Sequence, residues 1–385
     1  MPLFVIYNPV CGRGEATRLF NDTVIPLLKE HGREPDKVEV TTHAGHAGDL
    51  VIDFLQSAKG PVSIVLGSGD GTLHEILYAF QAARTTGYIG DVNLALVPCG
   101  TANALYSSLF PPQSADAQPD VLLSLHMLLS ESPSTRPLTL AITSLEAPGG
   151  DEPQSSISAV VTSTALHASI LHDSEALRAA HPGIERFKMA AQQNITRWYS
   201  ASVRFLPPCS IYRATDNQFV PCDTTDFAGP FVYFLSTVNV DRLEPFFRIT
   251  PLHAIIPPPA RPEPPTLDVV VVRPLRDKSI HDNSLDSREQ FSRKCMTVLG
   301  GAYQDGAHVK MTYGEGDQVS QGGGQGEESV VEYIRCRGWE WVPDSADETA
   351  HFVCADGEIL HIRPDGKAVC TAVHEVNGCS FHVYA

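Results

Sequence analysis

The residues best placed to do chemistry lie in Gly67-Ser-Gly-Asp-Gly-Thr72. This run follows Val62–Leu66, an apolar stretch that reads as a buried strand. It precedes Thr72–Ala83, where Leu73, Ile76, Leu77 and Phe80 recur at helical spacing. Glycines let the backbone turn sharply and approach a ligand closely, and a helix start points free N–H groups at an anion. Together they form a phosphate cradle. A bare Asp70 carboxylate would repel phosphate there. A magnesium ion between the two, or a role as base toward an incoming hydroxyl, resolves the conflict. The same residues also suit a plain Gly-rich turn with Asp70 capping the helix. Two further Gly-containing loops, Asn8-Pro-Val-Cys-Gly-Arg-Gly14 and Val97-Pro-Cys-Gly-Thr-Ala-Asn103, each follow a strand-like run. Ligands of open parallel sheets bind at the carboxyl ends of the strands, so three such loops at one edge point to one nucleotide site. Neither the P-loop pattern nor the dinucleotide Gly-x-Gly-x-x-Gly occurs.

The elements that must position these loops alternate in the first third. Strand signals at Leu3–Tyr7, Val38–Thr42, Val62–Leu66 and Val92–Val97 are separated by helical stretches at Glu15–His31, Ala47–Ala58 and Thr72–Ala83, and Ala102–Phe110 follows. This order predicts an α/β domain with a parallel sheet covered by helices on both faces. Pro111–Pro119 reads as a linker, and the rhythm stops after Leu129. Short strands then dominate: Leu138–Thr143, Ile157–Ala165, Ser202–Phe205, Phe231–Leu235, Leu267–Val272, Val330–Arg337, His351–Ala355, Ile359–Ile362 and Ala368–Thr371. They predict a mainly β second domain, an antiparallel sandwich. Its helical stretches are Ser174–Trp198, broken near Pro182-Gly183, and Ser287–Leu299. Pro257–Pro265 reads as an extended loop and Gly314–Gly326 as a mobile one. The expected domains are 1–130, 131–374 and a terminal segment, 375–385.

Composition narrows the function. The 385 residues carry 28 Lys plus Arg against 45 Asp plus Glu, a net charge of −17. Such a balance argues against nucleic-acid binding, which needs a basic face, and against a polybasic dock on anionic lipid. No apolar run is long enough for a membrane span, and the amino terminus lacks the features of a signal or transit peptide. The nine cysteines are odd in number and scattered, as expected for reduced thiols in a cytoplasmic protein rather than a disulfide frame or a zinc site.

Taken together, Asn8-Pro…Gly12-Arg-Gly14, Ser68-Gly-Asp-Gly-Thr…His74-Glu75 and Pro98-Cys-Gly-Thr-Ala-Asn-Ala-Leu105 resemble the catalytic domain of diacylglycerol kinases, and within that superfamily the sphingosine (sphingoid-base) kinases. Asp173-Ser-Glu175…Arg178…Arg186-Phe187 is similar to a later motif of that group, and Ala355-Asp-Gly-Glu358 to its Asp-Gly-Glu motif. The resemblance is loose between about Asp216 and Val330. It implies a lipid kinase that uses ATP and Mg2+, with the nucleotide between an α/β domain and a β-sandwich lipid domain. It also suggests that about Val376–Tyr384 return to the first domain.

By this resemblance Asn8, Gly12, Gly14, Thr42, Ser68, Gly69, Gly71, Thr72, Glu75, Gly100, Thr101 and Asn103 line the nucleotide. Arg178 and Arg186 contact its phosphates, where a guanidinium fork stabilises developing charge, and Glu358 sits beside Asp356. Asp70 is the preferred general base. Asp356 is its rival for that role, and both are candidates to hold the metal. Asp356-Gly-Glu alone also reads as a hairpin turn, and Arg178 and Arg186 as surface arginines. Asp173 matches the aspartate with which sphingoid-base kinases hold an amino-alcohol head, since a carboxylate pairs well with an ammonium. The sequence departs from the family before it: Ala165-Leu-His lacks an aromatic-Gly pair. Thr42-His43 likewise replaces the usual Thr and charged pair. Phe291, Cys295, Met296 and Leu299 mark an apolar helix face that suits core packing or a lipid tail. His74, His167 and His172 have no metal-ligand spacing. The expected partner is a lipid substrate met by transient membrane contact; the sequence is silent on oligomeric state. Alternatives are a diacylglycerol or ceramide kinase, an NAD kinase sharing the Gly-Asp-Gly-Thr loop, and a silent nucleotide- or lipid-binding protein.

Overall fold

The computed structural model describes residues 1–83, 90–114, 119–149, 154–181, 183, 185–314, 318–321 and 328–385. Strands β1 (Leu3–Tyr7), β2 (Lys37–Val40), β3 (Val62–Ser68) and β4 (Gly90–Pro98) alternate with helices. Those are α1 (Ala16–Leu19), continued by a π-helical turn, Phe20–Val24, into α2 (Ile25–Glu30), then α3 (His46–Ser57), α4 (Asp70–Ala82), α5 (Ala104–Leu109) and α6 (Leu123–Leu129). The helix expected over Glu15–His31 is thus three segments, and the helix expected at Ala102–Phe110 and the strand expected at Val38–Thr42 are shorter than their patterns.

All residues of β1 and β3 are buried, as a parallel strand covered on both faces requires. Alternate side chains serve opposite layers. Phe4, Ile6, Ile64 and Leu66 meet Val51, Phe54, Ile76 and Phe80 of α3 and α4. Val5, Tyr7, Val65 and Val97 meet Phe20, Val24, Leu28 and Leu125 on the other side. The sheet order is β2-β1-β3-β4-β20-β5, with β5 (Thr135–Pro137) and the last strand, β20 (Cys379–Tyr384), completing it. β20 runs parallel to β4, while β5 is antiparallel to β20.

The second part comprises β6 (Leu140–Glu146), β7 (Gln154–Ser158), β8 (Val161–Thr164), α7 (Ala165–Leu177), α8 (Glu185–Asn194), β9 (Ala201–Arg213), β10 (Gln218–Pro221), β11 (Asp226–Ala228), β12 (Tyr233–Thr237), α9 (Leu252–Ile255), β13 (Leu267–Val272), α10 (Leu285–Ala302), β14 (Met311–Tyr313), β15 (Val319–Gln321), β16 (Glu332–Pro343), β17 (Phe352–Ala355), β18 (Glu358–His361) and β19 (Lys367–Val373). Twelve of these strands join one antiparallel sheet. The sheet hinges on β16, which pairs with β13 through its first half and with β19 through its second. The change of partner falls at an irregularity between Cys336 and Gly338. A Cβ at Gly338 would lie 2.2 Å from the Cys370 carbonyl oxygen, so only glycine fits the corner.

One reading of the sequence shifts. The helix expected from Ser174 begins nine positions earlier, at Ala165, whose φ of +54° is the left-handed conformation that glycine adopts without strain. Pro182 lies outside the described residues, as do parts of the 111–119 and 314–326 loops. Among the described residues no helix is long and apolar enough to cross a membrane.

Candidate active site

Asp70 is the first residue of α4, at the carboxyl end of β3. Its side chain does not cap its own helix. Asp70 Oδ2 accepts the Ala104 N–H at 2.6 Å and Oδ1 the Leu105 N–H at 3.3 Å, so it caps α5 in the neighbouring loop. Burial, with the nearby Asp356 charge adding to it, pushes the carboxyl up to about 6 against these two amides.

The three glycine loops touch through their backbones. A Cβ at Gly100 would fall 2.4 Å from Gly69 Cα, one at Gly69 2.4 Å from the Ala102 oxygen, and one at Gly12 2.2 Å from the Cys99 oxygen. Gly71 meets nothing within 4 Å and is exposed, leaving open space in front of the α4 start. Ser68 and Thr72 are buried and share a 2.5 Å hydroxyl–hydroxyl bond. A small cavity lined by Ser68, Gly69, Asp70, Pro98, Asn103 and Tyr106 lies behind the cradle.

The second domain brings its own carboxylates to α4. Asp356 occupies the tight turn between β17 and β18 with φ +47°. Its carboxylate accepts the N–H groups of Ala159 (2.6 Å), Val160 (3.1 Å) and Val161 (2.7 Å), fastening the β7–β8 turn. Burial raises its pKa despite the His74 charge and those three amides. His74, one turn after Asp70, bonds the Ile157 carbonyl through Nδ1 at 2.8 Å and faces Glu358 Oε2 through Nε2 at 3.4 Å. Ser156 Oγ also donates to Glu358. Burial alone would lower the His74 pKa; the Glu358 hydrogen bond and the Asp356 and Glu358 charges outweigh it and raise it. The His74 bond is also the main cause that lowers the pKa of Glu358. His74 was not marked by its sequence spacing. The available signal was its place four residues after Asp70, on the same helix face.

Other expected site residues lie in the loops, on α4 and near the ends of α7 and α8. Asn8 Oδ1 accepts the Val10 N–H at 3.1 Å, and Asn103 Nδ2 donates to the Gly100 carbonyl at 2.7 Å, so both brace their own loops. Gly12 and Gly14 take positive φ, and Thr101 and Gly14 are exposed at the rim. Thr42 Oγ1 sits 3.0 and 3.1 Å from the Nδ1 atoms of His43 and His46, whose rings stack at 4.6 Å. Glu75 is half-buried on α4. Farther off, at the end of α7, Arg178 is exposed and paired with Glu175 at 2.7 Å. Arg186 lies over the Phe187 ring, and burial first, then the Arg178 charge, lowers its pKa.

Asp173 forms a separate cluster on α7. Its oxygens accept His172 Nδ1 and Asn194 Nδ2, both at 2.8 Å, and Arg197 stands 3.9 Å away. Burial would raise its pKa, but Asn194, His172 and Arg197 together lower it. Asn194 is buried and spaced far from Asp173 in sequence, which hid it from a motif reading. Phe291 and Cys295 are buried in the core, whereas Met296 is exposed.

Among the described residues no three His, Cys, Asp or Glu side chains converge as a metal cage. Asp70 and Asp356 nevertheless supply hard oxygens whose mutual repulsion a divalent cation would relieve. Magnesium commonly takes one or two carboxylates and completes its shell with phosphate and water.

Parts of the chain have known counterparts. Residues 2–128 match the diacylglycerol kinase catalytic domain. Sphingoid long-chain bases kinase 1 of Arabidopsis thaliana is 30% identical over 105 residues, 27% of this chain and 13% of the relative. Sphingosine kinase 2 of Homo sapiens is 30% identical over 131 residues, 33% of this chain and 19% of the relative. The matches thus span less than a fifth of those two relatives. A crystal structure of a putative diacylglycerol kinase from Bacillus anthracis superposes with a TM-score of 0.54 at 15% identity, covering 100% of this chain and 95% of that one. The diacylglycerol kinase-like fold therefore extends over the whole chain, beyond the catalytic-domain match.

Proposed function

We propose that the chain is a lipid kinase that transfers the γ-phosphoryl of ATP to the primary hydroxyl of a sphingoid base. The observation that carries this reading is the meeting of Asp70, in a three-loop glycine cradle, with Asp356 from the second domain. On this reading residues 1–130 hold the nucleotide, 131–374 the lipid, and 375–385 belong with the first domain. The backbone amides at Gly69–Thr72 and the Gly12 and Gly100 loops bind the phosphates. Magnesium, held by Asp70 and Asp356, would neutralise charge on them. Phosphoryl transfer depends chiefly on positioning and electrostatics. An acceptor hydroxyl between the domains would give its proton to Asp70. His74 is a positioning residue that ties Glu358 to α4. The lipid would be collected by transient contact with a membrane.

The names of the sphingoid-base and sphingosine kinases support an amine-bearing substrate, with Asp173 as its carboxylate. One observation favours a second reading, a neutral lipid such as diacylglycerol: His172, Asn194 and Arg197 already meet the Asp173 charge.

The test is phosphate transfer from γ-labelled ATP with magnesium to sphingosine, phytosphingosine, diacylglycerol, ceramide or NAD in separate reactions. Labelled sphingoid-base phosphate, lost in Asp70→Asn and in Asp173→Ala, is expected. Transfer to diacylglycerol alone, unaffected by Asp173→Ala, would select the second reading. Transfer to no lipid would sink both.

A further inference from the structure

Two cysteines face each other across the β9–β10 hairpin. The ladder pairs Ser210 with Pro221, and the Cys222 N–H donates to the Cys209 carbonyl at 3.2 Å, so Cys209 and Cys222 stand directly opposite. Their sulfurs are 2.6 Å apart. Directly opposed residues of an antiparallel pair have Cα atoms about 4.5–5.5 Å apart, within the roughly 4.4–6.8 Å that a disulfide spans. Both cysteines are half-buried, beside the exposed residues Pro208 and Asp223. Among the described residues β10 pairs with β9 alone, which makes it an edge strand. It supplies Gln218 and Phe219 to a groove also lined by Ile255, Ile256 and Pro257, and the Arg335 guanidinium lies 4.3 Å from the centroid of the Phe219 ring. No step of the proposed transfer uses the cysteine pair.

We propose that Cys209 and Cys222 are a peroxide-sensitive modification site, whose reversible disulfide staples the edge strand β10 to β9. The first step is attack of the Cys222 thiolate on one oxygen of hydrogen peroxide. The O–O bond breaks, Cys222 becomes a sulfenic acid, and hydroxide leaves. The Cys209 sulfur then attacks the Cys222 sulfur, the S–O bond breaks, and the Cys209 proton leaves with the hydroxyl as water. The two thiols are oxidised by two electrons, and the peroxide is reduced to water and hydroxide.

The placement of the two residues separates their roles. Cys222 lies one position beyond the end of β10 and leads into the exposed residues Asp223 and Thr224, where peroxide reaches it. Cys209 lies inside β9, with Cys222 opposite on one side and Cys336 of β16 on the other, and is the resolving thiol. The sulfur contact favours the same order. The Cys209 S–H holds the Cys222 pKa down against burial and the Asp223 charge, while Cys209 itself is pushed up. Cys336 is fully buried, away from peroxide. A disulfide holds its sulfurs about 2 Å apart, so side-chain rotation alone closes the gap and the strands stay where they are. The link acts on the frayed hairpin instead, whose freedom it restricts far more than that of the paired strands. β10 then opens less often, and Phe219 stays under Arg335.

The experiment treats the full chain with hydrogen peroxide, maps disulfide peptides by mass spectrometry, and follows hydrogen exchange of the β10 amides before and after. A Cys209–Cys222 peptide is expected, absent after dithiothreitol and retained in Cys336→Ser. Cys209→Ser should instead accumulate a Cys222 sulfenic acid that dimedone traps. The β10 amides should exchange at least roughly tenfold more slowly in oxidised than in reduced protein, with no such slowing on oxidising Cys222→Ser. A Cys209–Cys336 bond, or oxidation that leaves Cys209 and Cys222 as thiols, would overturn the site. A Cys209–Cys222 bond with unchanged exchange would overturn the staple. Both readouts are made without nucleotide or lipid, so lack of kinase activity would count against the proposed function alone.

Discussion

Asp70→Asn offers a quantitative check because the carboxyl it removes is strained in the fold. In the unfolded chain Asp70 has its ordinary value of 3.8, whereas burial and Asp356 push it to about 6 in the native state. The native protein therefore binds a proton more tightly than the unfolded one. Below about pH 4 both states are protonated and Asp70 costs nothing. As pH rises from 4 to 6 the unfolded state ionises first, and native stability falls. Above pH 6 the cost is complete, about 3 kcal/mol at 1.36 kcal/mol per tenfold change in proton affinity. Asparagine removes that slope. It also loses one acceptor for the Ala104 and Leu105 amides, a roughly pH-independent cost of about 1–3 kcal/mol. Urea unfolding of both proteins, without magnesium or nucleotide, isolates the group. The stability of Asp70→Asn relative to wild type should rise by about 3 kcal/mol between pH 4 and pH 7. A difference flat across that window would refute the account of a buried, repelled carboxylate. The same variant should lose roughly a hundredfold or more of transfer rate if Asp70 is the base.

Asp356→Ala strands three amides of the β7–β8 turn, so urea unfolding should show a loss of about 3 kcal/mol or more, with Asp356→Asn recovering part of it. Gly100→Ala places a methyl 2.4 Å from Gly69 Cα and must part the two loops. Titration with a fluorescent ATP analogue should show roughly tenfold weaker binding (about 1.4 kcal/mol) in a protein that keeps its circular dichroism. Lys294, on α10, and Asp277 are both buried and paired. Lys294→Met leaves the carboxylate without its cation, held only by the Ser279 N–H and hydroxyl, and should cost about 3–5 kcal/mol in the same unfolding assay, whereas adding Asp277→Leu should restore most of it.

The local chemistry of the first domain was legible because it is written in contiguous residues. The apolar runs of β1 and β3, the helical spacing of α4 and the glycine turns each depend on neighbours a few positions away, and they fall where their patterns put them. The antiparallel character of the second domain was legible from its short strands and turns. Its hinge was not, because Gly338 marks a corner only once β13 and β19 compete for the same edge of β16. The long helix pattern from Ser174 missed the start at Ala165, since a positive φ at alanine carries no sequence signal.

The site itself divides in the same way. Sequence by itself determined that glycine-containing loops follow β1, β3 and β4 and that Asp356 occupies a turn. Tertiary structure decided that Asp70 caps a helix other than its own, that His74 bridges to Glu358, and that Asp173 comes with Asn194 and Arg197 around it. The reason is separation along the chain. A turn is fixed by the torsion preferences of four or five residues, whereas a pairing between Asp70 and Asp356 exists only after β7 has docked on α4 and the β17–β18 hairpin has closed over it.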